Sequence, residues 1–180
     1  MHKFIIFTVL CLIFLLSCKK ETTNKDQKTK ENTIVEKNVE VGAVKSYTYN
    51  QLKPLLEKVD DKIYVVNFWA TWCAPCVKEL PYFERIRKTY KASNVQVLLV
   101  SLDFANQVEK RLLPFIAKKK LQAKVVLLDD VNEDVWIKAI DKNWSGALPA
   151  TLIYNKSKRK FYEQSFDYKT LENELKTFLK

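Results

Sequence analysis

Only two of the 180 residues are glycine, Gly42 and Gly146, and only one is histidine, His2. So little glycine argues against a collagen-like or glycine-rich disordered chain, and against a glycine loop that cradles nucleotide phosphates. Cysteine is sparse too, confined to Cys11, Cys18, Cys73 and Cys76. No internal repeat is visible. What the chain has is hydrocarbon: 47% of its residues are hydrophobic. At this length that supports one well-cored domain with an appendage, and not two comfortable domains.

The N-terminus reads as an export signal. Met1-His2-Lys3 is a short basic start, and Phe4 to Leu16 is nearly unbroken hydrocarbon. That run is short for a membrane span and suits a signal-peptide core. It ends in Leu15-Leu16-Ser17-Cys18, just where a charged stretch begins. This resembles the lipobox of bacterial lipoproteins, which implies cleavage after residue 17 and a lipid on Cys18. An uncleaved anchor or an ordinary secretory signal is the alternative. Cys11 then leaves with the leader, Cys18 carries lipid, and Cys73 and Cys76 are left to pair with each other or with a substrate thiol. In an oxidising compartment structural disulfides are usual, but a two-residue gap closes too small a loop to stabilise much. A redox role explains the pair better. With His2 in the leader, two thiolates alone fall short of the four ligands of zinc, so no metal site is expected.

The formal net charge is +10, spread over many lysines with small clusters at Lys118–Lys120 and Lys156–Lys160. A solvated basic surface is the simpler reading, and attraction to anionic headgroups or acidic partners the other. Nucleic acid is not an expected partner for an exported lipoprotein. Residues 18–41 are too polar to bury a core and read as a lipidated, disordered tether with a reach on the order of 25 Å. Residues 42–180 form the expected domain. There, Tyr49–Val59 reads as a helix and Ile63–Trp69 as a strand buried on both faces. Val77, Leu80, Phe83, Ile86 and Tyr90 mark one face of a helix from Ala74 to about Lys91, bent at Pro81. A strand at Val95–Leu102, a helix at Asn106–Lys119 kinked at Pro114, a strand at Lys124–Leu128 and a helix at Glu133–Ile140 follow. Strands at Ala150–Tyr154 and Lys160–Gln164 precede a last helix capped by Asp167, with Leu171, Leu175, Phe178 and Leu179 on its face. The pattern is α/β, a mixed sheet flanked by helices.

The chemistry gathers at Phe68-Trp69-Ala70-Thr71-Trp72-Cys73-Ala74-Pro75-Cys76, on a strand-to-helix junction. Cys73 falls at the start of the helix, where unpaired N–H groups and the helix dipole favour an anion. The thiolate is the attacking species in disulfide exchange, so this placement makes Cys73 the nucleophile. Cys76, one turn further in, is placed to stay a thiol and resolve the mixed disulfide. Pro75 suits the first turn, where its missing N–H costs nothing.

This string resembles the WCxPC motif of the thioredoxin superfamily. The longer run Trp72 to Pro81 resembles the narrower TlpA/ResA branch, and Gly146-Ala147-Leu148-Pro149-Ala150-Thr151-Leu152 resembles that branch's cis-proline segment. The resemblance covers roughly residues 46–180. It implies a thioredoxin-like fold with an N-terminal extension and an insertion after the first βα unit. It also implies dithiol–disulfide exchange on envelope proteins, with no cofactor beyond the Cys73–Cys76 disulfide. Pro149 would be cis and lie against the cysteines, leaving the backbone of Leu148 to pair with an extended substrate. Trp72, Pro75 and Leu148 would then touch substrate. Glu79 would border the active-site cavity and shuttle protons, or else be an ordinary solvated helix residue. Asn67 stands where ordinary thioredoxins carry a buried aspartate, and an amide cannot act as a base, which shifts weight to Glu79. Trp69, Trp136 and Trp144 read as packing and Lys78 as solvated.

The resemblance further implies a reductase of protein disulfides, recharged by a membrane electron donor of the CcdA/DsbD type. Apocytochrome c or misoxidised envelope proteins would be its clients, met at a membrane facing the periplasm or exterior. Thiol oxidase, isomerase and redox-inert binding lipoprotein are the alternatives. A thiol peroxidase on this fold would need a Pro-x-x-x-Thr-x-x-Cys frame, and Thr71 is out of register for it. A copper chaperone would bring a histidine.

Overall fold

The computed structural model describes residues 44–179, so the leader, Cys18 and the tether expected over residues 1–41 lie outside the described residues. In chain order the elements are β1 (Lys45–Tyr47), α1 (Tyr49–Leu56), β2 (Ile63–Trp69), α2 (Ala74–Thr89) and β3 (Val95–Ser101). They continue as α3 (Leu113–Lys119), β4 (Lys124–Leu128), α4 (Glu133–Ile140), β5 (Ala150–Tyr154), β6 (Arg159–Tyr162) and α5 (Tyr168–Lys176). The strands form a six-stranded sheet in the order β1-β4-β3-β2-β5-β6. The pairs β1–β4, β4–β3 and β3–β2 are parallel, whereas β5 runs antiparallel to β2 and to β6.

Strand β2 lies in the middle of the sheet, and all seven of its side chains are buried. Its β-branched and aromatic residues suit a pleated surface covered on both sides. Alternation then sorts them. Val65 and Trp69 pack with Leu80, Phe83 and Ile86 of α2, Ile116 of α3, and Leu171 and Leu175 of α5. Tyr64, Val66 and Phe68 pack on the opposite face with Leu52 and Leu56 of α1, Trp136 and Ile140 of α4, and Trp144. Asn67 shares the parity of Val65 and Trp69, so it faces α2. Fully burying one such large apolar side chain contributes about 1.5–3 kcal/mol. These two layers hold the strand ends, and hence the cysteine turn, in place.

Asp167 caps α5 as expected, its side chain accepting from Thr170 N at 2.8 Å. Two expectations need correction, and one strand was not expected. Strand β1 has only three residues, too few to show an alternation, and is defined by its pairing of Lys45, Ser46 and Tyr47 with Val126, Leu127 and Leu128. The helix expected from Asn106 starts instead as a 3₁₀ turn, Ala105–Gln107, and a π-helical turn, Val108–Leu112. Pro114 therefore falls in the first turn of α3, where its missing N–H is harmless. Helix α2 runs from Ala74 to Thr89 with Pro81 inside it. Leu179, placed on the buried face of the last helix, lies beyond its end and is 37% exposed. No helix among the described residues is long and apolar enough to cross a membrane.

Candidate active site

Strand β2 ends at Trp69, the turn Ala70–Trp72 follows, and Cys73 is the N-cap residue of α2. The Cys73 backbone is extended, and its sulfur accepts from Cys76 N at 3.3 Å. A helix N-terminus leaves its first N–H groups unpaired, and one of them here is aimed at Cys73 Sγ. A negative sulfur at this place is stabilised by that donor and by the helix dipole. Cys73 and Cys76 are joined as a disulfide with Cα atoms 5.3 Å apart. Cys73 keeps 6% of its surface and Cys76 none. Incoming reagents therefore meet Cys73 first, while Cys76 is reached only from within.

A cleft of about 740 Å³ opens beside Cys73. Trp72, Cys73 and Pro75 line it together with the Gly146–Leu148 loop, Trp136 and Ile137. Leu102–Ala105 after β3 and Leu128–Val131 after β4 supply the rest of the lining. Trp72 is 54% exposed and Phe104 68%, large apolar surfaces left uncovered at the mouth. The charged residues of the lining are Asp103, Asp129, Asp130 and Glu133; no lysine or arginine lines it. On a chain of net charge +10, the surface around the disulfide is locally acidic. The Leu148–Pro149 bond is cis. Leu148 lines the cleft and Pro149 does not. No described residue donates to or accepts from the Leu148 peptide group outside the sheet ladders.

Two buried polar assemblies support this arrangement. The register Trp69↔Ser101 brings Asp103, two residues past β3, level with Thr71, two residues past β2. The Asp103 carboxylate accepts from Thr71 N at 3.0 and 3.2 Å, from the Thr71 hydroxyl, and from Ser101 Oγ at 2.7 Å. It thereby fixes the turn that presents Trp72 and Cys73. On the α2 side, Glu79 accepts from Asn67 Nδ2 at 2.8 Å, Phe166 N at 2.8 Å and Ser165 Oγ at 3.3 Å. Asn67 Nδ2 also reaches Thr151 Oγ1 at 3.2 Å, and Asn67 Oδ1 is buried without a partner. Burial pushes the Glu79 carboxyl above its ordinary value, against the three donors that favour the ionised form.

Of the two readings of Glu79, the solvated one requires revision. Glu79 has no exposed surface, so it is not a solvated helix residue, and it is not among the residues lining the cleft. It sits behind the disulfide in the core, one turn beyond Cys76. Trp72, Pro75 and Leu148 do line the cleft with Cys73. Trp69, Trp136 and Trp144 are buried, and Lys78 is exposed. The sequence reading missed Asp103, Phe104 and the acidic wall after β4. Ligands in open parallel sheets gather at the carboxyl ends of strands, and Ser101-Leu102-Asp103-Phe104 and Leu128-Asp129-Asp130 are such ends. Among the described residues, no group of three or more His, Cys, Asp or Glu side chains is placed to share a metal ion.

Comparison with known proteins agrees with this geometry. The profile of the AhpC/TSA family matches residues 45–159. A thiol-disulfide oxidoreductase ResA of Halalkalibacterium halodurans is 29% identical over 100 residues, covering 56% of this chain and 52% of the relative. The ResA protein of Bacillus thuringiensis is 30% identical over 125 residues, 69% of this chain and 66% of the relative. The chain thus matches about half to two thirds of the length of these relatives. A thioredoxin-related protein from Neisseria meningitidis serogroup B superposes with a TM-score of 0.57 at 24% identity, over 68% of this chain and 88% of its own. That likeness concerns the thioredoxin-like fold.

Proposed function

The chain belongs to the AhpC/TSA family, and on that premise we propose that it is a thiol–disulfide oxidoreductase working through Cys73 and Cys76. The observation that carries the reading is the division of labour in the pair. Cys73 is the N-cap, facing a cleft and holding a helix N–H on its sulfur, whereas Cys76 is wholly buried. In the reductive direction, the Cys73 thiolate attacks one sulfur of a client disulfide. The other client sulfur leaves as a thiolate, and a mixed disulfide forms. Cys76 then loses its proton and attacks Cys73 Sγ, which releases the second client thiolate and re-forms the Cys73–Cys76 bond. The two electrons gained by the client come from the dithiol. Glu79, one turn from Cys76 and with its carboxyl pushed above the ordinary value by burial, is the group assigned to exchange that proton.

The client lies in the cleft against Trp72, Pro75 and Phe104, and pairs with the unoccupied Leu148 peptide group. The reductive direction rests on the acidic surroundings of Cys73, which disfavour a stable thiolate and so a strongly oxidising couple. The cellular setting rests on the sequence. A lipid on Cys18 would hold the domain at a membrane of the bacterial envelope, where a membrane electron donor re-reduces it. Its clients there are exported proteins such as apocytochrome c, whose haem-attachment cysteines must be reduced. A peroxidase reading, suggested by the family's name, finds less support. The Thr71 hydroxyl is committed to Asp103 and stands out of the register a peroxidatic cysteine requires.

The test is covalent trapping. With Cys76→Ser, exported proteins should accumulate as mixed disulfides on Cys73, sensitive to reductant and absent with Cys73→Ser. Equal trapping by both variants, or by neither, would remove the assigned roles.

A further inference from the structure

The loop that lines the cleft together with Cys73 is held by an exposed carboxylate. Glu163, the residue after β6, accepts from Ser145 N at 3.1 Å through Oε2. Through Oε1 it accepts from the Ser145 hydroxyl and from Ala147 N at 3.2 Å. Trp144 Nε1 donates to Ala147 O at 2.9 Å, and Lys138 Nζ to Trp144 O at 2.6 Å. The N–H groups of Ser145 and Ala147 and the Ala147 carbonyl are therefore engaged, while no described residue pairs with the Leu148 peptide group. Gly146 makes the intervening turn at φ +93°, and a Cβ there would stand 2.9 Å from Ile137 Cδ1. A side chain at 146 would thus meet both a strained backbone and the Ile137 methyl of α4.

Glu163 does not line the cleft, and its exposed position gives it no packing role. Three hydrogen bonds donated by two neighbouring residues to one charged acceptor are worth more than a surface ion pair, because bonds from backbone N–H to a carboxylate are among the stronger kind. Resting on the oxidoreductase reading above, we propose that Glu163 is a positioning residue for substrate. It holds Ser145–Ala147 so that the Leu148 peptide group meets an extended client segment at the right height beside Cys73. Such a residue governs clients that dock through their backbone. It has no influence on disulfides too small to reach Leu148. Preorganising a docking edge lowers the ordering cost of binding and leaves the chemical step untouched.

The experiment uses the reduced full-length protein in single-turnover reactions with two oxidants: an extended synthetic peptide bearing one disulfide, and hydroxyethyl disulfide. For Glu163→Ala, the peptide concentration giving half the limiting rate should rise about tenfold, with the limiting rate within about twofold. The rate with hydroxyethyl disulfide and the reduction potential should not change. Ser145→Ala, which leaves Glu163 its two backbone donors, should give a smaller shift of the same kind. Glu163→Gln, which keeps one oxygen acceptor, should fall between wild type and Glu163→Ala. An unchanged half-saturation concentration, or equal losses with both oxidants, would overturn the assignment. If the wild-type protein reduces neither oxidant, the oxidoreductase reading itself falls and takes this inference with it.

Discussion

Replacing Glu79 by glutamine separates the charge of that side chain from its shape. The carboxylate is buried and receives donors from Asn67, Ser165 and Phe166. Glutamine keeps one oxygen for Phe166 N and Ser165. Its amide nitrogen meets Asn67, whose Oδ1 is buried and unpartnered and can accept once the Asn67 amide turns over. Thr151 then donates where it previously accepted, while the bond from Asn67 Nδ2 to Ala150 O is given up, a loss that does not vary with pH.

The loss that does vary with pH is ionisation. Burial raises the carboxyl above its reference value of 4.5 in the folded state. Between the unfolded and the folded value, the folded state holds a proton that the unfolded state has released. In that window the wild-type protein loses about 1.4 kcal/mol of stability per pH unit through this group. The contribution is complete below the unfolded value and gone above the folded one. The variant has no such slope. Urea unfolding of the oxidised protein, followed by tryptophan fluorescence from pH 4.5 to 9, should show the variant gaining on wild type as pH rises, with the difference between them then constant. A difference that stays flat, or one that moves in favour of wild type, would mean the three donors outweigh burial.

Asp103→Ala leaves Thr71 N and Ser101 Oγ without their acceptor and should cost on the order of 3 kcal/mol in chemical denaturation. It should also broaden the resonances of Trp72 and Cys73 as the turn is released. Asp167→Ala removes the N-cap of α5 and should cost about 1 kcal/mol, with no effect on exchange rates. Because the charges lining the cleft are all carboxylates, a disulfide peptide flanked by lysines should react faster than its glutamate-flanked counterpart. The gap should shrink with added salt. Equal rates at low ionic strength would show that the cleft field does not reach the client.

Parts of this architecture are plain in the linear sequence, and others are not, for physical reasons. Ile63–Trp69 announces a doubly covered strand because a continuous apolar run has no other comfortable place, and the cysteine turn follows from where that run stops. The pairing of Asn67 with α2 was available from strand parity. Strand β1 was hidden because three residues carry no period. The π-helical turn at Val108–Leu112 was hidden because it keeps an ordinary helical composition. The rest of the cleft's lining was invisible for a different reason. Asp103, Asp129 and Glu163 come beside Cys73 or the Gly146–Leu148 loop only through the strand order β1-β4-β3-β2-β5-β6, which no local pattern encodes. Glu79 shows the limit most clearly. Helical spacing from Cys76 placed it near the pair, but whether it met solvent or core depended on Phe166, 87 residues away.

The central claim is that Cys73 and Cys76 form a reducing dithiol couple. Its most direct test is the reduction potential of that couple, obtained by equilibrating the protein against dithiothreitol or glutathione mixtures. A value near or below about −230 mV, toward the thioredoxin end of the known range, is the predicted result. A value near about −120 mV, where DsbA lies, or a pair that does not exchange at all, would contradict it.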